Sequence, residues 1–395
     1  MNELENIVAA AEAARASGLS AAVATVVAVE GSAYRLPGAR MLIVEGNWIA
    51  GSISGGCLED DVGMRAREAV ARNEAVVTTY DTTDDDDIVF GVGLGCKGVI
   101  TILIEPVRPE NPAVDFLTFA KSCFMERDPG VVATVVRTHG GAGAKPGARL
   151  LSRSGHSRSD ITDLGLKSQI EAAIGCVPEA PKLIMLTLEH GAVDVFVERI
   201  QPPVPLIVFG AGHDAMPVVR LAKELGWHVT LVDHRPAYAT AARFPRADRI
   251  VVGGPAGMSS KIRMTGETLA LVMTHNYLRD LEWLGLLLPS PARYVGLLGP
   301  RRRADQLLAD LQQRRVQPTG DQLSRFYAPV GLDIGAESPF EVALSIVSEM
   351  QTVMTRQQGG HLRERKRPIH EDVARRRQKA SPEAITSTRC ASARP

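Results

Sequence analysis

The chain has 395 residues and a formal net charge of zero at pH 7, with a pI near 7.1. That balance excludes a whole-chain field that would favour nucleic acid or an anionic membrane, and the length allows more than one domain with its own core. Hydrophobic residues make up 45% and aromatics only 5%, the composition of an aliphatic α/β protein.

In chain order, Leu4, Ile7, Val8, Ala11 and Ala14 fall on one face of a predicted helix over residues 3–16, which Gly18 ends. Residues 21–29 read as a buried strand and 30–40 as a loop. Residues 41–44 and 48–53 form a hairpin turning at Glu45-Gly46-Asn47. A helix over 58–72, a strand over 75–80, a polar glycine-rich loop over 81–97 and a strand over 99–104 follow. A helix near 113–124 and strands near 131–136, 183–188 and 192–198 complete this half, with no internal repeat evident. No apolar run approaches the roughly 20 residues that span a bilayer, and residues 1–5 carry no signal-peptide pattern. Five cysteines without framework spacing argue against disulfides, so a cytoplasmic protein with Cys57 and Cys96 as free thiols is expected.

Stacked prolines at 202–205 mark a linker between a first domain (1–201) and a second (206–355). Beyond it strands and helices alternate, at 206–210, 214–225, 228–233, 250–252, 269–273, 277–288, 293–298 and 301–315, with a closing helix over 341–356. The fold class is therefore α/β, with an N-terminal α/β domain followed by a Rossmann-like, doubly wound parallel sheet. Residues 356–395, basic and poor in apolar side chains, read as a disordered tail.

Gly210, Gly212 and Ala215 match the dinucleotide loop G-x-G-x-x-G/A. Asp233 stands at the next strand end, where such folds keep a ribose carboxylate. The helix behind the loop supplies free N–H groups and a positive dipole end, and Pro217 suits its first turn. His213 belongs to the same loop. Arg235 follows Asp233, and His275 and Arg301 stand at two further strand ends; each is a candidate ligand contact, or a solvated loop residue.

The first domain carries a different loop, Gly51-Ser-Ile-Ser-Gly-Gly-Cys57. It places Cys57 at a helix start, where a dipole favours thiolate, with Ser52, Ser54, Gly55 and Gly56 as candidate anion contacts. Gly91-Val-Gly-Leu-Gly-Cys96 repeats the design. Cys57 and Cys96 in one pocket would suit a soft metal or sulfur centre, with Gly95 close by; two thiols are too few for a closed zinc site. Arg35 and Arg40, on the 31–40 loop, fit a phosphorylated ligand through forked contacts. Asp81 and Asp84–Asp87 read as a solvated acidic loop. Cys123, Cys176 and Cys390 have no chemical setting.

On these residues the chain resembles the XdhC/CoxI family of xanthine dehydrogenase accessory factors. The matching pieces, in order, are residues 31–41, 51–59, 93–96, 208–213, 232–236, 274–276, 294–299 and 328–336; residues after 356 are not covered. Lys97 stands where the family carries glycine, and Pro300 where a serine is common. The resemblance implies a maturation chaperone for molybdenum hydroxylases rather than an enzyme with its own turnover. Its cargo would be the molybdenum cofactor, as molybdopterin or its cytosine dinucleotide, held during sulfuration and then inserted. The implied partners are an apo molybdenum hydroxylase (xanthine dehydrogenase, an aldehyde or carbon monoxide dehydrogenase, or an N-heteroaromatic hydroxylase) and a cysteine desulfurase-type sulfur donor, with the chaperone a homodimer. The alternative is an NAD(P)-dependent oxidoreductase, with Asp233 on the ribose and His275 as acid/base. A nucleic-acid-binding reading rests on the basic tail alone.

Overall fold

The computed structural model describes residues 3–81, 98–107, 114–175, 180–257 and 261–366. These fall into two compact units, divided between Pro202 and Pro203.

The first unit contains α1 (Glu3–Ala16), β1 (Ala21–Gly31), β2 (Arg40–Val44), β3 (Asn47–Gly51), α2 (Glu59–Arg72), β4 (Val76–Asp81) and β5 (Gly98–Pro106). The series then begins again with α3 (Phe116–Glu126), β6 (Gly130–Gly140), β7 (Arg149–Arg153), β8 (His156–Ser159), α4 (Leu164–Gly175), β9 (Lys182–Leu188) and β10 (Gly191–Ile200). The two series build two five-stranded sheets of the same order, β3-β2-β1-β5-β4 and β8-β7-β6-β10-β9, antiparallel throughout. The unit is an internal duplication, which overturns the expectation of no repeat.

Once the elements are matched, one constant spacing aligns the sequences as far as the second strand of each hairpin, where β3 carries an extra residue. This spacing carries Ala24-Thr-Val-Val27 onto Ala133-Thr-Val-Val136, and Pro37-Gly-Ala-Arg40 onto Pro146-Gly-Ala-Arg149. The backbone repeats as well. Glu45-Gly46 (φ 52°, 78°) and Ser154-Gly155 (φ 50°, 79°) make the same hairpin turn, with both central residues left-handed. Each central strand carries a register shift at the equivalent place, skipping Val27 in β1 and Val136 in β6. The skipped valines join Leu103 and Phe196 in one buried cluster shared by the halves.

The two halves also exchange charges. Arg40 pairs with Glu198 of β10, and Arg149 pairs with Glu105 of β5, so each half gives an arginine to the other and receives one. Arg40 and Glu198 are 7% and 4% exposed. Arg40 also donates to the Gly38 carbonyl at 3.0 Å and lies 4.3 Å from the centre of the Phe116 ring.

The second unit comprises β11 (Pro205–Phe209), α5 (Ala215–Glu224), β12 (His228–Asp233), β13 (Arg249–Val252), β14 (Leu269–Val272), α6 (Tyr277–Leu287), β15 (Tyr294–Leu297), α7 (Arg301–Gln313), α8 (Gly320–Leu323), β16 (Phe326–Tyr327) and α9 (Pro339–Thr355). Its strands are all parallel in the order β13-β12-β11-β14-β15-β16. Counted within the unit this is 3-2-1-4-5-6, the Rossmann order. Burial on both faces accounts for continuous apolar strands such as Leu206–Phe209. Two buried clusters cover the sheet. One includes α5 and α9, and the other includes α6 and α7. Ser338 caps α9 in a reciprocal capping box with Glu341.

Candidate functional site

The duplication supplies an internal control for the first unit. Residues common to both halves keep the fold; those found in one half alone are free to carry chemistry. Arg40 has its counterpart in Arg149, and both are engaged across the repeat interface. The structure thus removes Arg40 from the ligand contacts expected of it, because its guanidinium is buried against Glu198 and Phe116.

Ser54 is likewise a fold-keeping residue. Its hydroxyl accepts hydrogen bonds from the N–H groups of Gly56, Cys57 and Leu58 at 3.1–3.2 Å and donates to Glu59. In the second half the helix is capped from the next position, where Asp163 accepts from the Leu166 N–H at 2.9 Å. Ser54 is 4% exposed, so its expected role as an anion contact is replaced by one as a loop cap.

Glu59 was not anticipated. The signal available for it was an acid in the first turn of a helix behind a serine-glycine loop. Its carboxylate is 4% exposed and accepts from the N–H groups of Ser54 at 2.9 Å, Leu58 at 3.1 Å and Ile53 at 3.4 Å. Glu3 ties the neighbouring loop down in the same way: it pairs with Arg35 and accepts from the Ser52 N–H at 3.1 Å. A Cβ on Gly55 would lie 3.8 Å from the Tyr34 ring. The 31–40 loop and the 51–58 loop therefore meet, and Arg35, Ser52, Gly55, Gly56 and Cys57 lie on adjoining segments.

What the first half has alone is Tyr34, Arg35, Gly55 and Cys57, which align with Gly143, Ala144, Asp163 and Gly165 in the second once the extra residue in β3 is counted. It also has residues 82–97 between β4 and β5, where Glu189-His190 alone joins β9 to β10. Gly95, Cys96 and Lys97 lie outside the described residues. Cys57 is exposed and Cys123 buried. Burial pushes the Cys123 thiol up to about 11, leaving it in the inert thiol form. Among the described residues no group of three or more His, Cys, Asp or Glu could hold a metal ion. A cleft of about 770 Å³ opens beside Gly143–Arg149 of the second half, and none of the expected site residues lines it.

In the second unit the expected loop forms between β11 and α5. Gly210 has φ +121°, and a Cβ there would stand 2.3 Å from the Met273 carbonyl oxygen; only glycine fits this close approach of β11 to β14. His213 is exposed at the turn. Asp214, at the start of α5, makes no capping bond and turns to His275, with Oδ2 2.6 Å from Nε2. A Cβ on Gly212 would lie 2.4 Å from Asp214 Oδ1. The acid thus fills the approach that a phosphate would use.

Asp233 sits at the end of β12 as expected, but its carboxylate is engaged by the chain. It accepts from the Ala211 N–H at 2.7 Å, the Arg235 N–H at 2.8 Å and the Arg235 guanidinium at 2.8–2.9 Å. Burial opposes its ionisation, yet the bonds from Arg235 and Ala211 outweigh burial and hold the carboxyl below the ordinary carboxylate range. These bonds use its acceptor sites, so a ribose would have to displace Arg235. Arg235 stacks on Tyr238 at 4.0 Å. Arg301 is exposed at the first turn of α7, while Arg303 holds the buried Asp280 at 2.7 Å. Pro300 occupies the N-cap of α7 without a side-chain cap.

These two assemblies coincide with known sequence families. Residues 206–350 match the XdhC Rossmann domain, and residues 14–81 match the XdhC and CoxI family. A protein of Bacillus subtilis (strain 168) named as a probable xanthine dehydrogenase component is 33% identical over 338 residues, covering 84% of this chain and 92% of that protein. The chain belongs to the XdhC/CoxI family. A second family relative, the molybdenum cofactor insertion chaperone PaoD of Escherichia coli (strain K12), is 22% identical over 345 residues, 87% of this chain and 86% of that one. The crystal structure of a xanthine dehydrogenase from Bacillus halodurans superposes with a TM-score of 0.73 at 28% identity, covering 92% of this chain and 98% of the other. Among the described residues of this XdhC/CoxI protein, no helix is long and apolar enough to cross a membrane.

Proposed function

We propose that this chain is a maturation chaperone that carries the molybdenum cofactor, as molybdopterin or its cytosine dinucleotide, to an apo molybdenum hydroxylase in the cytoplasm. The observation that carries the reading is the asymmetry of the duplicated unit: among the described residues the first half alone has an exposed thiol, Cys57, on a loop locked to the arginine-bearing segment of Tyr34 and Arg35. A thiol suits a soft, sulfur-ligated metal, and a guanidinium suits a phosphate. The names of PaoD and of the Bacillus subtilis relative support the same assignment. A cysteine desulfurase-type donor would supply the sulfido ligand while the cofactor is held.

The NAD(P)-dependent reading is less well supported, because Asp233 is bonded to Arg235 and Ala211, and Asp214 lies against Gly212. In the chaperone reading the exposed His213 and Arg301 remain candidate contacts for the cofactor's phosphate end, and Gly210, Gly212 and His275 would join them on displacement of Asp214. The test is deletion of this chain followed by assay of each molybdenum hydroxylase of the same cell. Loss of activity in one enzyme, restored by supplying the chain, names the client. Full activity with sulfurated cofactor in all of them contradicts the proposal.

A further inference from the structure

Glu59 is a buried carboxylate with no cationic partner among the described residues, an expensive arrangement unless its hydrogen bonds are needed. It is the first residue of α2. With Ser54 it collects the N–H groups of Ile53, Ser54, Gly56, Cys57 and Leu58. The second half starts its equivalent helix with Asp163 alone, and the position aligned with Glu59, next to the matched core residues Leu58 and Leu166, is Lys167, which is not an acid. The fold therefore starts such a helix without a second buried acid. What Glu59 adds is found only where the loop ends in Cys57.

A loop of small residues before a helix ordinarily turns its N–H groups outward, where they bind oxyanions. Here they point inward to one carboxylate and one hydroxyl, and the thiol-bearing residue remains exposed. We propose that Glu59 is a positioning and specificity-determining residue for Cys57. By drawing the loop's N–H groups inward it presents the thiol to a soft, sulfur-ligated centre and withholds the nest a phosphate or similar oxyanion would occupy. This rests on the reading of Cys57 as the cofactor-facing thiol.

The test uses the full-length protein with Glu59→Gln. Because the amide would set an N–H₂ against inward-pointing donors, Ser54→Ala serves as a second variant that releases three N–H groups and one hydroxyl donor while leaving the carboxylate and its backbone N–H donors in place. Alkylation of Cys57 by iodoacetamide is followed by peptide mass spectrometry, with and without inorganic phosphate, and amide hydrogen exchange is read over residues 53–58. Wild type should be labelled at the same rate with and without phosphate. In both variants the loop amides should exchange faster and phosphate should slow labelling several-fold. A merely structural role would lower thermal stability and leave labelling indifferent to phosphate; that result, in either folded variant, overturns the proposal, as would protection by phosphate in wild type. Failure of the chaperone reading would show separately, as unchanged cofactor retention in Cys57→Ser.

Discussion

At the scale of single residues, the Asp233 carboxylate ties the glycine loop of the second unit to the end of β12 by accepting from the Ala211 N–H at 2.7 Å. Asp233 stands at the strand end where the pattern places an acid, yet its carboxylate is held by Arg235, two residues further on, and by the backbone of the glycine loop. It fastens Ala211 to β12, so its loss should loosen the loop. Removing a buried charged acceptor of this kind costs about 2 kcal/mol. The folded-state pKa is depressed, so this stabilisation is complete above the unfolded carboxylate value, about 4, and is lost as the pH falls through the folded value. Asp233→Asn should therefore open residues 206–233 to hydrogen exchange strongly at pH 7, with a gap to wild type that closes at pH well below 4. A gap of equal size at both pH values would mean that the ionised carboxylate does no stabilising there. Ser54 and Arg40 teach the same lesson: sequence marks a hydroxyl or a guanidinium as able to bind a ligand, and only the fold shows that each is already occupied.

At the scale of elements, the exchanged arginines are the lock of the duplicated unit. Arg40 with Glu198 is nearly excluded from solvent, whereas Arg149 and Glu105 are 10% and 17% exposed. Breaking a buried pair from one side strands a charge and costs about 3–5 kcal/mol, while replacing both partners by apolar residues is often neutral. Arg40→Leu should accordingly destabilise the first unit more than Arg149→Leu, and Arg40→Leu with Glu198→Leu should recover most of the loss. Urea unfolding read by hydrogen exchange in β1 and β10 checks the order. Equal costs for the two arginines, or no recovery in the double variant, would contradict the lock.

These elements also explain why the repeat escaped a linear reading. The second half keeps the Ala-Thr-Val-Val and Pro-Gly-Ala-Arg segments but has polar β8 residues, His156–Ser159, where β3 has Trp48 and Ile49. The hairpin β7–β8 therefore carried too little apolar periodicity to be recognised, whereas α4 has Leu166, Ile170 and Ile174 at helical spacing, a signal that was present and not used. The parallel sheet was legible because burial on both faces writes unbroken apolar strands. Of the antiparallel edge strands, β3, β4 and β9 are marked by residues 48–53, 75–80 and 183–188, and the polar β8 writes no such signal.

At the scale of the whole molecule, an XdhC-type Rossmann unit follows a duplicated unit in which, among the described residues, the first half alone has an exposed thiol, and in which residues 82–97 separate β4 from β5. The glycine loop of the Rossmann unit is closed by the chain's own Asp214 and Asp233. A carrier of a thiolate-reactive cofactor needs the first feature, and a dinucleotide-dependent oxidoreductase needs the second loop open. That Cys57 holds the cofactor, as proposed, is tested most directly by the pterin and molybdenum content of the protein purified from a molybdate-supplied host, as wild type, Cys57→Ser and Cys123→Ser. Wild type and Cys123→Ser should carry bound pterin with molybdenum, and Cys57→Ser should lose most of both while remaining folded. Equal retention by the two variants, or a wild-type protein free of pterin, would contradict it.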